Sequence, residues 1–365
     1  MRVGIDARIL GNPRSGIAVY TLNLVEQFLK DKSVEIVLFG DRPIFEEYRY
    51  ITDKTKTVIF GQEHRKRWSQ FYLPAQLKKY GIDVYHATWN NAVPVFTRVP
   101  CVLTVHDIIP LIVPGYFKNA QKRYKYIFSM KSALRKAKAV IVDAQVTKID
   151  LIKHFKVSPD KIDVISLGAR QVDKNTVSGM SGINSDYIIN IGSFDKRRNA
   201  DTLIRAFAGF IKSSGVNCKL VLVGGYNNFP DEMKRFDSII SGLNIKDKVI
   251  FTNYVTNDEM QVLLAKAKMM VHLSLYEGFC FLVLEAMQAG IPLIASNTGS
   301  VPEVAGEAAV LVDPLDEAGV TAAIKNLWND KNAAARLVEA GKQRVKSFSW
   351  EKTAKETRKI YEKIS

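Results

Sequence analysis

Short apolar runs alternate with amphipathic stretches along most of the chain. The apolar runs predict strands at residues 2–6, 35–39, 57–60, 83–87, 101–106, 139–143, 163–167, 187–192, 219–224, 248–253, 269–274, 293–296 and 309–312. Many of these runs are continuous and rich in β-branched residues, which is typical of strands buried on both faces of a parallel sheet. Amphipathic helices between the strands therefore predict an α/β protein with doubly wound sheets.

A polar stretch divides the strands into two series. Residues 169–186 are rich in Ser, Gly and Asn and show no hydrophobic period, as expected of a linker. The pattern predicts an N-terminal domain at residues 1–170, a linker at 171–186 and a C-terminal domain at 187–345. Only helices are predicted after residue 316, and we expect the last segment, residues 346–365, to cross back to the N-terminal domain as a helix.

Ligands of open parallel sheets bind beyond the carboxyl ends of the strands. In the first half this rule selects residues 87–91, His106 and Asp107, and in the second half residues 193–199, Gly224, Gly225, Tyr254 and the turn around Glu277. If the two edges face each other, they would hold a ligand in a cleft between the domains.

The segment from Ser274 to Ser296 has an unusual distribution of acids. It predicts the end of a strand, a turn holding Glu277, an apolar helix over residues 281–289 holding Glu285, and a second strand after Gly290. Helix-start amides next to the turn suit phosphate oxygens, and a buried carboxylate such as Glu285 needs a hydrogen-bonding partner. The alternative is structural: Glu277 caps the helix and Glu285 pairs with a core Arg, Lys or Tyr.

Three further features suggest anion or sugar chemistry, each with a structural alternative. Arg197 and Arg198 lie between a strand and a helix, where forked donors suit a diphosphate, although charge runs are usually solvated loops. Gly16 lies in a turn before a helix, where glycine often serves backbone geometry alone. His106 ends a strand, where it could donate to a leaving phosphate or a sugar hydroxyl, or be a hydrogen-bonded structural group. His272, inside an apolar strand, is read as a core residue.

The charge balance of +15 implies an anionic partner. Residues 118–138 carry eight basic residues and no acid. On a helix, Lys118, Lys122, Lys125 and Lys136 fall in one narrow arc, with Tyr124, Ile127 and Leu134 broadly opposite. Such a surface suits anionic lipid headgroups or a charged acceptor, and the basic, aromatic segment 64–72 adds to it. The alternative is a set of solubilising cations.

Cysteine usage and hydropathy indicate the compartment. The three cysteines are far apart, so neither a disulfide framework nor a zinc site is predicted. Charge near the N-terminus and the lack of a long apolar run predict a soluble, cytoplasmic protein.

Taken together, these residues resemble the retaining glycosyltransferases of family 4 (group 1), over nearly the whole chain. The similarity is most specific in Glu277-Gly-Phe, Leu284-Glu-Ala-Met287, Gly290-Ile-Pro and Pro302-Glu-Val-Ala-Gly306. It implies the GT-B fold, with two doubly wound Rossmann-like domains facing across a deep cleft. The first would bind the acceptor and the second the nucleotide sugar.

The resemblance also implies residue roles. Glu277 would contact donor-sugar hydroxyls, Glu285 the ribose, and the amides of the turn the diphosphate. His106 would lie beside the reacting carbon, so His106 and Glu277 are the expected catalytic residues. The remaining expected donor-binding residues are Gly16, Arg197, Arg198, Tyr254, Gly278, Phe279 and Cys280. Transfer would proceed with retention, with the leaving diphosphate accepting the acceptor's proton, and no metal or other cofactor is expected.

His106-Asp-Ile-Ile-Pro110 together with Arg197-Arg-Asn199 is most similar to the mannosyltransferase-like branch, which usually takes GDP-mannose. Ser193, Arg198, Cys280 and Phe281 depart from the usual family residues, and a side chain at 280 would narrow the donor pocket. The expected function is transfer of a hexose, mannose from GDP-mannose as the first choice, to a lipid-linked or polysaccharide acceptor in cell-envelope glycan synthesis. The protein would act at the inner face of the membrane.

Two alternatives remain open from the sequence. A nucleotide-sugar epimerase can share this fold, although we find no gathered set of carboxylates and His in the first half. A basic nucleic-acid-binding protein would explain the charge, but the cations are not arranged in a recognised binding module, so nucleic acid is not an expected partner.

Overall fold

The computed structural model of the protein describes residues 1–11, 15–60, 68–90, 92–169 and 183–365. The chain divides into two compact units. The first comprises residues 1–168 together with 348–365, and the second comprises residues 169–347. Most of the predicted linker, residues 171–182, lies outside the described residues.

The first unit is built on a parallel sheet of seven strands, among the residues described, in the order β3-β2-β1-β4-β5-β6-β7. The strands are β1 (Arg2–Asp6), β2 (Glu35–Gly40), β3 (Lys56–Ile59), β4 (Val84–Ala87), β5 (Cys101–Val105), β6 (Ala139–Val142) and β7 (Ile162–Val164). The central strands β4, β5 and β6 are buried along their whole length, which explains their continuous apolar sequences.

Helices cover this sheet. They are α1 (Gly16–Phe28), α2 (Arg49–Thr52), α3 (Leu73–Lys79), α4 (Ile109–Ile112), α5 (Ala120–Lys136) and α6 (Gln145–Phe155). The side chains of Ser15 and Asn119 accept the amides of Ala18 and Lys122, which fixes the starts of α1 and α5. Met130 and Leu134 of α5 are buried in the core that also contains Leu103 and Val140 of the sheet.

The second unit repeats this architecture. Its six described strands lie in the order β10-β9-β8-β11-β12-β13, all parallel where they pair. They are β8 (Tyr187–Ile191), β9 (Lys219–Val223), β10 (Val249–Thr252), β11 (Met269–His272), β12 (Leu293–Ser296) and β13 (Val310–Val312). The helices are α7 (Ala200–Ser214), α8 (Pro230–Gly242), α9 (Asn257–Lys266), α10 (Phe281–Ala289), α11 (Val301–Ala305), α12 (Glu317–Asn329) and α13 (Lys331–Val345).

The last helix, α14 (Trp350–Ile364), belongs to the first unit. The Tyr361 ring packs on the Phe28 ring of α1 with centroids 5.6 Å apart. The Thr353 hydroxyl donates to the Ser166 carbonyl at 2.8 Å. Trp350 lies so close to Gly168 that a Cβ there would be 2.4 Å from the indole, so glycine permits this contact.

Several strands end one or two residues before the position that the sequence predicts. The run at 101–106 ends as a strand at Val105, and the run at 219–224 ends at Val223. A Cβ at Gly224 would lie 1.9 Å from the Gly192 carbonyl oxygen. Only glycine fits beside the Gly192 carbonyl at this edge, and His106 and Gly224 are the first residues after their strands.

No helix among the described residues combines the length and the apolar character needed to cross a membrane.

Candidate functional site

The strand order places a ligand-binding crevice in each unit. In the first sheet, successive strands are added outward on one side of β1 and then on the other side from β4. In the second sheet, the same change of direction occurs between β8 and β11. The connections leaving such neighbours run in opposite directions, which opens a crevice at the carboxyl edge. The loops that follow these four strands therefore border the crevices.

In the second unit, the loop after β8 carries the two predicted phosphate-binding arginines. Asp195 caps a single 3-10 turn, Lys196–Arg198, by accepting the Arg197 amide at 3.1 Å. Asn199 then adopts a left-handed conformation, φ 54°, from which α7 starts. The turn directs both guanidinium groups toward the loop that follows β11, where Arg197 Nη1 donates to the Tyr276 carbonyl at 3.0 Å.

Glu277 is the point where these loops meet. Its Oε1 lies 2.8 Å from Arg197 Nη1 and also contacts Arg198 Nη1. The Ser274 hydroxyl donates to the same oxygen at 2.6 Å. Burial raises the pKa of Glu277, but the charges of Arg198 and Arg197 and the His272 hydrogen bond outweigh it and hold that pKa well below its usual range. Glu277 is thus a buried carboxylate that is ionised at neutral pH.

A third loop, after β12, fixes the Glu277 backbone. The Ser300 amide donates to the Glu277 carbonyl at 3.1 Å, and the Thr298 hydroxyl donates to the Ser274 carbonyl at 3.0 Å. Gly299 has φ 58°, and a Cβ on it would lie 2.7 Å from the Glu277 backbone. Sequence reasoning missed this support, and the glycine after the strand at 293–296 was the available signal.

His272 and Cys280 complete the cluster beneath Glu277. His272 Nε2 lies 3.3 Å from Cys280 Sγ and 3.4 Å from Glu277 Oε1. Burial lowers the pKa of His272 and raises that of Cys280, so both are neutral. The prediction of His272 as a core residue fits its 1% exposure, yet it also supports the site.

Potential metal-ligand atoms of His272, Glu277 and Cys280 lie within 4.8 Å of one another. Two guanidinium groups already contact the single carboxylate of this set, and its thiol keeps its proton. A divalent cation would therefore meet fixed positive charge. The charges of the cluster favour an internal hydrogen-bonded network over a metal centre.

The other predicted donor-binding residues surround this network. Cys280 precedes α10 with φ 54°, a left-handed backbone that favours glycine. Gly278, Phe279 and Glu285 are buried, whereas the Tyr254 side chain, after β10, is 59% exposed. Arg198 Nε is buried and has no hydrogen-bond partner among the residues that the structure describes.

The carboxyl edge of the first unit contains an ion pair that the sequence did not suggest. Asp6, fully buried at the end of β1, accepts hydrogen bonds from the Arg8 guanidinium, the shortest at 3.0 Å from Nε and 2.6 Å from Nη2, and from the Arg8 amide at 3.1 Å. The Trp89 indole, after β4, donates to Asp6 at 3.2 Å, and the Arg8 guanidinium lies 5.2 Å from the Trp89 ring. Asn91, predicted at this edge, is outside the described residues.

His106 follows β5 at the same edge. Its Nδ1 lies 2.6 Å from Asp143 Oδ2 and its Nε2 lies 3.0 Å from the Thr88 carbonyl oxygen. The Tyr20 ring packs edge-on against the imidazole, with centroids 4.9 Å apart. Asp143 ends the predicted strand at 139–143, but the sequence offered no reason to single it out. Gly16, the other predicted residue here, is the exposed first residue of α1.

The predicted basic surface lies largely on α5. Lys118, Lys122 and Lys125 are exposed, but Lys136 is half-buried and its ammonium donates to the Thr97 carbonyl at 2.5 Å. Tyr124, which the angular pattern places on the packed side, is 67% exposed. Its outward position differs from the prediction because the packed face is centred on Met130 and Leu134. Residues 64–67 of the basic segment lie outside the described residues.

Solved structures share this fold. Anabaena Alr3699/HepE in complex with UDP-glucose superposes with a TM-score of 0.78 at 16% identity, covering 100% of each chain. Sucrose-phosphate synthase from Thermosynechococcus elongatus gives 0.78 at 20% identity, covering 100% of this chain and 98% of that one. The protein therefore has the GT-B fold of glycosyltransferases.

Family profiles then identify the family. The profile described as "Glycosyl transferases group 1" matches residues 176–344, and that described as "Glycosyltransferase Family 4" matches residues 14–170. The O-antigen chain mannosyltransferase B of Escherichia coli is 24% identical over 379 residues, covering 96% of each protein. The chain belongs to the family 4 (group 1) glycosyltransferases and is similar to their mannosyltransferase-like branch.

Proposed function

We propose that this enzyme transfers a hexose, mannose from GDP-mannose as the first choice, from a nucleotide sugar to a lipid-linked or polysaccharide acceptor, with retention at the anomeric carbon. The observation that carries the proposal is the network of Arg197, Arg198 and Glu277 at the switch point of the second sheet. It combines forked cations with a fixed carboxylate, the two chemistries that a sugar diphosphate requires.

The contacts suggest which part of the donor each residue binds. Every contact of the Glu277 carboxylate described above is made to Oε1, so Oε2 is the oxygen that we expect to accept a sugar hydroxyl. Arg198 has a buried Nε–H without a partner in the described residues, so it can gain a hydrogen bond when a diphosphate enters. The family resemblance adds Glu285 as the ribose ligand and Tyr254 near the base.

The identity of the sugar rests on the relatives. The O-antigen mannosyltransferase named above supports mannose, as does its counterpart RfbU of Salmonella typhimurium, 28% identical over 90% of this chain and 91% of that protein. HepE holds UDP-glucose in its structure, so a UDP-linked hexose is the competing donor.

A donor screen tests this proposal. Thermal unfolding of the purified chain is measured with GDP-mannose, UDP-glucose and UDP-N-acetylglucosamine, and donor hydrolysis is followed in parallel. We expect GDP-mannose to raise the midpoint, because a ligand that binds only the folded state stabilises it. A larger effect of a UDP sugar would reassign the donor, and no effect of any nucleotide sugar would contradict the proposed function. An epimerase would convert the donor sugar without an acceptor.

A lipid-linked acceptor would be reached at a membrane surface, and α5 carries exposed side chains suited to bind one. Tyr124 and Phe128 lie one turn apart on α5 with 67% and 77% exposure. Lys122 and Lys125 are exposed beside them. Phe71 and Phe96 form a second exposed pair, with ring centroids 5.9 Å apart. Aromatic rings together with lysines are typical of surfaces that rest in the headgroup region of anionic bilayers, so we propose that α5 docks on such a membrane.

Vesicle flotation distinguishes this surface from merely solubilising cations. The wild-type chain should float with phosphatidylglycerol-containing vesicles and less with pure phosphatidylcholine. The double change Tyr124→Ser and Phe128→Ser should lower binding about tenfold through lost apolar insertion. Lys122→Glu with Lys125→Glu should abolish the preference for anionic lipid.

Matched controls are available in the second unit. Leu315 is 70% exposed, so Leu315→Ser removes a comparable apolar side chain. Lys212 and Lys234 are exposed lysines on α7 and α8, and changing both to Glu alters the net charge equally. If the controls reduce binding as much as the α5 variants, the docking surface is wrongly assigned.

A further inference from the structure

The protonation state of His106 follows from its two hydrogen bonds. A backbone carbonyl has no proton to donate, so the ring nitrogen that faces Thr88, Nε2, must carry a hydrogen. Nδ1 faces Asp143 Oδ2 at 2.6 Å, a distance typical of a charge-assisted bond that contains one proton. With Asp143 ionised, both ring nitrogens are protonated and His106 is an imidazolium.

The surroundings of His106 support the charged ring. Burial lowers its pKa, but the charge and hydrogen bond of Asp143, the Thr88 carbonyl and the charge of Asp107 outweigh burial, and the net effect is a raised pKa. Asp143 is 1% exposed, and its other oxygen, Oδ1, has no hydrogen-bond partner in the described residues. A buried carboxylate with so few donors needs a neighbouring cation, and His106 supplies it.

Two of the other titratable groups near His106, His86 and Tyr20, are neutral, whereas Asp107, the next residue along the chain, is a second acid whose Oδ1 accepts the Ile109 amide at 3.0 Å. Burial and then the charge of His106 lower the pKa of His86, on β4, to about 3. Burial raises the pKa of Tyr20, on α1, so that its hydroxyl keeps its proton. His86 and Tyr20 are both hydrogen-bonded to the Thr104 hydroxyl, at 2.7 and 3.0 Å. Asp143 is therefore the ion-pair partner of His106 in this packed cluster.

We propose that Asp143 is a positioning residue that keeps His106 as a fixed imidazolium with both N–H groups engaged inside the first unit. In this state His106 has no lone pair to act as a general base and no N–H left for a substrate. Its contribution to transfer is a positive charge held in a fixed position at the carboxyl edge of the first unit. This last step rests on the proposed function, whereas the pairing itself does not.

Nitrogen NMR of the whole chain tests the pairing without any substrate. The chain is labelled with ¹⁵N-histidine, and His106→Asn assigns the His106 signals among the five histidines. We expect both ring nitrogens of His106 to be protonated at pH 7.5, and Asp143→Asn to lower the pKa of the buried ring, so that one ring nitrogen is unprotonated at the same pH. A wild-type ring with an unprotonated Nδ1 at pH 7.5 would overturn the proposal.

The pH dependence of donor turnover tests the functional consequence. The raised pKa of His106 means that loss of its charge should lower kcat/KM only at pH values above the ordinary range of histidine titration. In Asp143→Asn the same fall should begin at least about one pH unit lower, because burial then lowers the pKa of the ring without an opposing carboxylate. A loss of activity that is equal at every pH would contradict the electrostatic role of the pair.

Two control variants show whether an effect is specific to the charge of Asp143. Asp41 is also a buried acid of the first unit, paired with Arg42 at 3.0 Å, so Asp41→Asn should leave both the His106 signals and the pH profile unchanged. Asp143→Glu retains the charge and should keep the ring doubly protonated if the variant folds. If no donor is turned over by the wild type, the proposed function fails, while the NMR result still decides the pairing.

Discussion

The two carboxyl edges of this enzyme use cations in opposite ways. At the edge of the first unit, His106 has both of its donor groups satisfied by Asp143 and the Thr88 carbonyl. At the edge of the second unit, Arg198 contacts Glu277 but retains a buried Nε–H without a partner among the described residues. The first cation is closed to ligands, and the second can still gain a hydrogen bond.

This difference suggests that the second unit binds an anion, whereas the first unit holds a positive charge in a fixed position. A donor left unsatisfied in a buried position costs free energy until a ligand accepts its hydrogen bond, which favours binding of an anion in the second unit. A satisfied ion pair gains nothing further from direct contact and is better suited to holding a charge in place. Substitution of each cation or its partner should therefore affect the two units differently.

The largest effect is expected from Arg198→Ala. It removes the open donor, so stabilisation of the protein by GDP or UDP in thermal unfolding should be lost, and turnover should fall about 100-fold or more. Glu285→Ala should also abolish nucleotide stabilisation if Glu285 binds the ribose. Arg336→Ala, at an exposed arginine of α13, is the matched control. Undiminished nucleotide stabilisation in both site variants would contradict the assignment of the donor site.

Glu277→Gln should have the next largest effect, on stability. It leaves two partly buried guanidinium groups without their carboxylate, which should lower the free energy of unfolding by about 3 kcal/mol. Urea unfolding of the wild type and the variant at pH 7 measures the difference. Equal stability would show that the network is not required to hold the three loops together.

The pH dependence of that difference sharpens the test. The pKa of Glu277 is depressed in the folded protein, so the ion pair stabilises the fold at pH values above the unfolded pKa of about 4.3. The stabilisation is lost as pH falls toward the folded value. The gap between wild type and Glu277→Gln should therefore narrow between about pH 5 and about pH 3, and a gap independent of pH would contradict the ion-pair origin.

A smaller effect on stability is expected from the hydrogen bond between Tyr361 and His86. Tyr361 of α14 bonds His86 Nδ1 at 2.6 Å, and both side chains are fully buried. Tyr361→Phe should lower the free energy of unfolding by about 1 kcal/mol without changing nucleotide stabilisation. Tyr116→Phe, at a tyrosine that is 58% exposed, is the control and should have no measurable effect in the same urea unfolding assay.

The fold was predictable because its signals are local. Continuous apolar runs, glycines such as Gly290 (φ 71°) after α10, and the polar break near residue 170 each act over a few residues. The helix at 281–289 and the strand at 293–296 were predicted with the bounds that the structure has. Strand ends were less accurate, because the last residue of a strand is set by pairing with neighbouring strands that are distant in sequence.

The sequence by itself determined the two α/β halves and the family, and it placed Glu277, Arg197 and His106 at strand ends. Only the tertiary structure decided which charges meet. Arg198 reaches Glu277 across 79 residues, and His106 reaches Asp143 across 37. The pairing of such distant side chains is set by strand order, which brings β8 beside β11 and β5 beside β6. Strand order depends on the packing of the whole sheet, and no local pattern records it.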